Sequence, residues 1–235
     1  MKEPDFRFKQ FSLYQERCAM KVGTDGVLLG AWAGLDGRQR ILDIGTGTGL
    51  IALIAAQRCA EARLTAIEID AEAAAQAADN VALSKWNDRI EVIRADVREF
   101  SPQDRFDAIF CNPPFFSNSL RSPDSARNLA RHSDTLSFRE LTDCASRLLT
   151  DDGELHVIIP AEAASDFFGA AATSGLQPHR VTYFRTNSRK PPKRVLMTFG
   201  RHCTDSVTDS LYLYGDDGTE TAEYKSLVQN LYLKY

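Results

Sequence analysis

The sequence has little of what staples a fold from outside. Its five cysteines, Cys18, Cys59, Cys111, Cys144 and Cys203, are odd in number, widely spaced and never arranged as C-x-x-C. That pattern offers neither a disulfide framework nor a zinc site, and free thiols in a reducing cytoplasm are expected. The four histidines are scattered, none with a helical partner four residues away, so no metal is expected. Nowhere do eighteen apolar residues run together, and the charged stretch from Met1 to Gln10 has no apolar core of a leader peptide. Membrane spanning and secretion are therefore not expected, and the cytoplasm is. A strong excess of positive charge is also missing: 28 Lys and Arg against 32 Asp and Glu leave a net charge of −4. This balance argues against nonspecific coating of nucleic acid, although it leaves room for a local basic patch.

What is present is enough apolar material, 43% of 235 residues, to bury one sizeable core. A single domain over residues 1–235 is expected, with no repeat or linker. From Arg40 onward, short apolar runs alternate with longer stretches of helical period, the signature of a parallel sheet with crossover helices on both faces. The class is α/β. Strands are expected at Arg40 to Ile44, Arg63 to Glu68, Ile90 to Arg94, Phe106 to Cys111 and Glu154 to Ile159. Helices are expected at Leu50 to Cys59, Ala71 to Ser84, Ser137 to Leu149 and Ala161 to Ser174. After Gly175 two β-like runs, Arg180 to Thr186 and Val195 to Arg201, read as an antiparallel pair closing the sheet. An aromatic strand, a turn at Gly215 to Gly218 and a helix around Ala222 to Leu231 complete residues 176–235.

Between the first strand and first crossover helix lies Asp43-Ile44-Gly45-Thr46-Gly47-Thr48-Gly49. Glycines there permit a tight turn and close approach of backbone to a ligand at the carboxyl end of the strand, where a nucleoside-bearing cofactor binds. The even spacing of the three glycines differs from the dinucleotide fingerprint G-x-G-x-x-G. The carboxylate of Asp43 disfavours a pyrophosphate but suits the ammonium of a methionine moiety. Nineteen residues after Gly49, Glu68 ends the second strand, where its carboxylate can accept from both ribose hydroxyls. Asp96 follows the third strand, placed to accept an adenine amine. Each acid alone reads as a loop residue or helix cap, but acids at three successive strand ends outline one cleft.

The fourth strand ends in Asn112-Pro113-Pro114-Phe115, followed by Phe116. Two prolines fix their φ angles and remove two donors, leaving the neighbouring carbonyls free to accept in a rigid loop. Asn112 adds a side-chain acceptor. An exocyclic amine on an aromatic ring is a poor nucleophile because its lone pair is delocalised. Donation of its N–H protons to fixed carbonyl oxygens returns density to nitrogen. Phe115 offers a stacking face, worth about 1–3 kcal/mol for a base. The blander reading, a strand end packing a loop, is outweighed by the position of the motif beside the glycine loop.

Together the glycine loop and Asn-Pro-Pro-Phe resemble the class I S-adenosylmethionine-dependent amino-methyltransferases acting on adenine, with a Rossmann-like fold. Three flanking segments, Met20 to Trp32, Ala130 to Ser133 and Lys190 to Leu196, are similar to the bacterial tRNA1(Val) adenine-N6 methyltransferase family, over nearly the whole chain. The resemblance implies S-adenosylmethionine as cofactor, held by Gly45 to Gly49 and Glu68, with Thr24 to Gly26 beside its methionine end. Residues 1–39 would thus contribute to the cofactor site. It implies Asn112, Pro113 and Phe115 as the target-holding, catalytic residues, Asn112 also facing the cofactor. The implied substrate is the adenine immediately 3′ of the anticodon in a valine tRNA. Phe115 stands where DNA adenine methyltransferases commonly have tyrosine; the stacking face is kept.

One asymmetry is independent of the resemblance. Between Phe167 and Thr204 there is no acid, while Arg180, Arg185, Arg189, Lys190, Lys193, Arg194 and Arg201 all occur. Arg185, Arg189, Lys190, Lys193 and Arg194 are expected to track RNA phosphates, with Arg121, Arg127, Arg131 and Arg139 as possible additions. A merely solvated strand pair is the competing reading. The expected partner is tRNA, without a membrane and without a second copy of the chain. Rival functions are a protein glutamine N5-methyltransferase, a ribosomal RNA guanine N2-methyltransferase, and a non-catalytic RNA-binding module. The first ordinarily carries an N-terminal helical domain, for which fewer than forty residues leave no room. The last would have lost one of the two loops.

Overall fold

The computed structural model describes residues 3–113, 136–202 and 205–235. Pro114 to Phe116, Arg121, Arg127, the Ala130 to Ser133 segment and Cys203 lie outside the described residues. The described chain runs β1 (Phe6–Arg7), β2 (Ser12–Leu13), α1 (Thr24–Trp32), β3 (Arg40–Ile44), α2 (Leu50–Arg58), β4 (Arg63–Glu68), α3 (Ala71–Ala82), β5 (Ile90–Arg94) and β6 (Phe106–Cys111). It continues with α4 (Phe138–Leu148), β7 (Leu149–Pro160), a 3-10 turn at Ala161–Ala163, α5 (Ala164–Thr173), β8 (Gln177–Arg185), β9 (Arg194–Gly200), β10 (Val207–Tyr212) and α6 (Ala222–Val228).

The main sheet has the order β10-β8-β9-β7-β6-β3-β4-β5, with every pairing parallel except β7 with β9 and β8 with β9. Its inner strands alternate between two cores, as a sheet covered on both faces requires. Ile41, Phe110, Ile158 and Leu196 face a core shared with α1, α2 and α6. Leu42, Ile44, Ile109, Val157 and Met197 face the other, against α4 and α5.

Four expected strands, β3 to β6, form with the bounds read from the sequence. Three features differ. The antiparallel pair β8 and β9 forms but does not close the sheet. β10 begins at Val207, before the expected aromatic run, and adds in parallel outside β8. β7 starts at Leu149, directly after α4, and shifts register against β6 between Phe106 and Ala108. Helix α1 is not among the helices expected from the sequence. Its Gly26 and Gly30 are contact points with α2: a Cβ on either would come within 3.0 Å of Leu50 or Ile54.

Candidate functional site

Parallel strands deliver their carboxyl ends to one edge of the sheet, and the loops there enclose a cavity of about 560 Å³. That is the size of a small-molecule or cofactor site. The glycine loop forms its floor. Gly45, Gly47 and Gly49 have φ of 69°, 56° and 82°, in the left-handed region that disfavours side chains. A Cβ on Gly45 or Gly47 would meet nothing within 4 Å. The glycines thus leave open space where a ligand approaches bare backbone. Gly49 caps α2 instead, against Ala77, and does not line the cavity.

Glu68 ends β4 at the cavity wall. Its carboxylate accepts from the backbone of Gly47 at 2.9 Å, Ile69 at 2.9 Å and Asp70 at 3.1 Å. The acid therefore stands against the glycine loop, half-buried, within reach of whatever fills the cavity. Asp96 also lines the cavity, but Arg98 grips both of its oxygens, from Nε at 2.9 Å and Nη2 at 2.6 Å to Oδ2 and from the backbone at 2.9 Å to Oδ1. Those hydrogen bonds hold its carboxyl below the usual carboxylate range.

Asp43 is placed differently from expectation. It is 1% exposed and lies beneath the loop, where Thr46 Oγ1 donates to Oδ2 at 2.5 Å. Burial pushes its carboxyl up to about 7, so it braces the turn from inside rather than meeting a ligand ammonium. Thr24 is exposed at the start of α1 and does not line the cavity; its neighbours Gly23 and Gly26 do.

At the end of β6, Cys111, Asn112 and Pro113 line the cavity beside the glycine loop, because Cys111 pairs with Ile44 of β3. Asn112 Oδ1 is buried and, among the described residues, has no hydrogen-bond partner. An unmade bond at a buried acceptor costs about 1–3 kcal/mol, so such an atom is where a donor from a ligand belongs. Phe115 lies outside the described residues.

The near wall is a segment whose contribution was implied only by resemblance: Arg17, Cys18, Ala19, Met20, Lys21, Val22 and Gly23 all line the cavity. It is irregular chain, so no periodicity marked it. Asn80 of α3, 1% exposed, ties its root to the glycine loop. Its Oδ1 accepts from Tyr14 N at 2.9 Å, and Nδ2 donates to Tyr14 O and Thr48 O, both at 2.8 Å. Gln15 Oε1 accepts from Val22 N at 2.7 Å, folding the segment back on itself.

The basic region divides. Arg180 pairs with Asp209, Arg201 donates to Ser146 O, Arg139 pairs with Asp143, and Arg194 donates from Nε to Asp25 Oδ2 at 2.7 Å. Arg185, half-buried, donates to Lys190 O at 3.1 Å. Arg189, Lys190 and Lys193 are exposed on the β8–β9 loop. Because β9 begins opposite Pro160, at the end of β7, that loop stands on the same sheet edge as the cavity. Tyr183 and Phe184 pack into the cores and are not free to stack on a base.

These residues fit S-adenosylmethionine: an open glycine cradle, a carboxylate beside it, and in the same cavity an acceptor without a partner among the described residues. Comparison with known proteins agrees. Residues 27–167 match the family model for the methyltransferase small domain. The chain is 48% identical to the tRNA1(Val) (adenine(37)-N6)-methyltransferase of Phocaeicola vulgatus, covering 99% of each chain. It is 46% identical to that of Bacteroides fragilis, covering 100% of each, and 43% identical to that of Trichodesmium erythraeum, covering 98% of each. Among solved structures, a predicted O-methyltransferase from Agrobacterium tumefaciens shares the fold with a TM-score of 0.69 at 22% identity, over 88% of this chain and 96% of that one. A glycopeptide N-methyltransferase complexed with S-adenosylmethionine matches over 77% of this chain and 100% of its own, with a TM-score of 0.55 at 15% identity. The fold is that of the Rossmann-like methyltransferases, and the chain belongs to the tRNA1(Val) (adenine(37)-N6)-methyltransferase family.

Proposed function

We propose that this chain transfers a methyl group from S-adenosylmethionine to the exocyclic N6 of the adenine immediately 3′ of the anticodon in tRNA1(Val). The observation that carries the chemistry is the buried Oδ1 of Asn112, which has no partner among the described residues and belongs to a residue lining the same cavity as the glycine cradle. S-adenosylmethionine, when bound, supplies an electrophilic methyl on a sulfonium centre. Gly45 and Gly47 admit the cofactor against bare backbone, Glu68 accepts from its ribose hydroxyls, and Asp96 receives its adenine amine on the lone pairs that Arg98 leaves.

Asn112 Oδ1 accepts a proton of the target amine, which orients the nitrogen and concentrates its lone pair on the side of the methyl donor. Pro113 fixes the backbone that aims this acceptor. Proton loss follows transfer, so no strong base is required. Phe115 stacks on the flipped-out base. Arg185, Arg189, Lys190 and Lys193 meet the phosphates flanking the target. The chain works as a monomer, in the cytoplasm where its substrate is; among the described residues no helix is long and apolar enough to cross a membrane.

Incubation with labelled S-adenosylmethionine and unmodified total tRNA, then nuclease digestion and mass identification, tests this reading. N6-methyladenosine concentrated in one valine isoacceptor is expected. Label in ribosomal RNA or protein, with none in tRNA, would overturn it.

A further inference from the structure

The cavity wall from Arg17 to Gly26 is irregular chain followed by the first turn of α1, and two side chains that do not line the cavity hold its ends. Asn80 holds the root at Tyr14. Arg194 holds the far end: its guanidinium meets Asp25, in the first turn of α1 between the cavity-lining Gly23 and Gly26. The pair is about two-thirds covered, with 33% and 26% of the side chains exposed, so it is less screened than a surface pair. Arg194 belongs to no neighbouring element in sequence. It starts β9, at the foot of the loop that bears Arg189, Lys190 and Lys193.

From this placement we infer that Arg194 is a positioning residue for the cofactor rather than a phosphate contact: it fixes the wall through Asp25 and joins the basic loop to the cofactor pocket. Part of the inference, the phosphate role of the neighbouring loop, rests on the proposed tRNA reading. A lysine cannot reproduce the directed Nε–H bond, so charge alone does not suffice.

The test measures two affinities. S-adenosylhomocysteine is titrated calorimetrically into the protein without tRNA, and tRNA binding is followed by filter retention across salt concentrations. Arg194→Gln and Asp25→Asn are each expected to weaken S-adenosylhomocysteine by about tenfold, the worth of one charged hydrogen bond, and the double variant no further. Arg194→Lys falls between. The salt slope of tRNA binding stays that of the wild type in all four, while Lys193→Gln lowers it by about one and leaves S-adenosylhomocysteine affinity within twofold. Unchanged S-adenosylhomocysteine affinity in Arg194→Gln, or a lowered salt slope, would overturn the inference. If that variant does not fold, Arg194→Lys and Asp25→Asn decide by the same readouts. Because the first titration needs no tRNA, a failure of the tRNA reading leaves it interpretable.

Discussion

The two ends of the central sheet are built on opposite principles. At the amino ends of the strands several charges have internal partners. Arg38 meets Glu154 at 2.6 Å, Arg40 meets Asp104 at 3.0 Å, and Asp107 accepts from the backbone of Gln39 at 2.7 Å. Arg89 donates to the carbonyls of Ala56, Cys59 and Ala62 at 2.7–2.9 Å, closing the end of α2. At the carboxyl ends Gly45 and Gly47 hold left-handed backbone against the cavity, and Asn112 Oδ1 has no hydrogen-bond partner among the described residues. One end is tied by these internal pairs and serves stability. The other leaves bare backbone and an acceptor open at the cavity, as a ligand site does.

Changes confined to one end sharpen this contrast. Arg89→Ala strips three carbonyls of a charged donor far from the cavity. A loss of about 2–4 kcal/mol in urea unfolding is expected, with methyl transfer at permissive temperature unchanged. A fall in transfer without a fall in stability would break the division between the ends.

Two buried groups then set opposing pH dependences. Burial pushes the His156 imidazole down to about 4 and the Asp43 carboxyl up to about 7. The unfolded chain binds the histidine proton first, so His156 withdraws stability as pH falls from about 6.5 to 4, at about 1.4 kcal/mol per unit. Asp43 has the reverse sign: the folded state binds its proton first, so its contribution is full below about pH 4 and is lost as pH rises to 7. His156→Gln should therefore gain on the wild type as pH falls from 6.5 to 4, and Asp43→Asn should lose on it between 7 and 4. Denaturant midpoints across that window check both.

The smallest expected effect is at the rim. Lys193→Gln should raise the Kd for tRNA a few-fold and reduce the salt slope by about one, as loss of one phosphate contact does. Filter binding at several salt concentrations measures it.

The strands themselves were legible in the sequence. β3 to β6 are short, apolar and bounded by turn residues, and tertiary structure does not move their limits. The glycine loop, Glu68 and Asn112 were legible because chemistry restricts which residues serve at those strand ends. Helix α1 was not, because Gly26 and Gly30 lower its helix propensity while they let α2 approach. Nor could spacing show that Arg194 would find Asp25 across 169 positions, or that Asp43 would turn beneath the loop rather than into the cavity. Such partnerships are made by the fold.

The central claim is that one cavity holds cofactor and target by separable groups, with Asn112 acting on the target. Asn112→Ala, compared with wild type for S-adenosylhomocysteine affinity and single-turnover methyl transfer to tRNA1(Val), tests it most directly. Affinity within about threefold and transfer slower by about 10²–10³-fold are expected, the cost of removing one preorganised polar group from the reacting centre. Parallel loss of both, or transfer that survives, would contradict it.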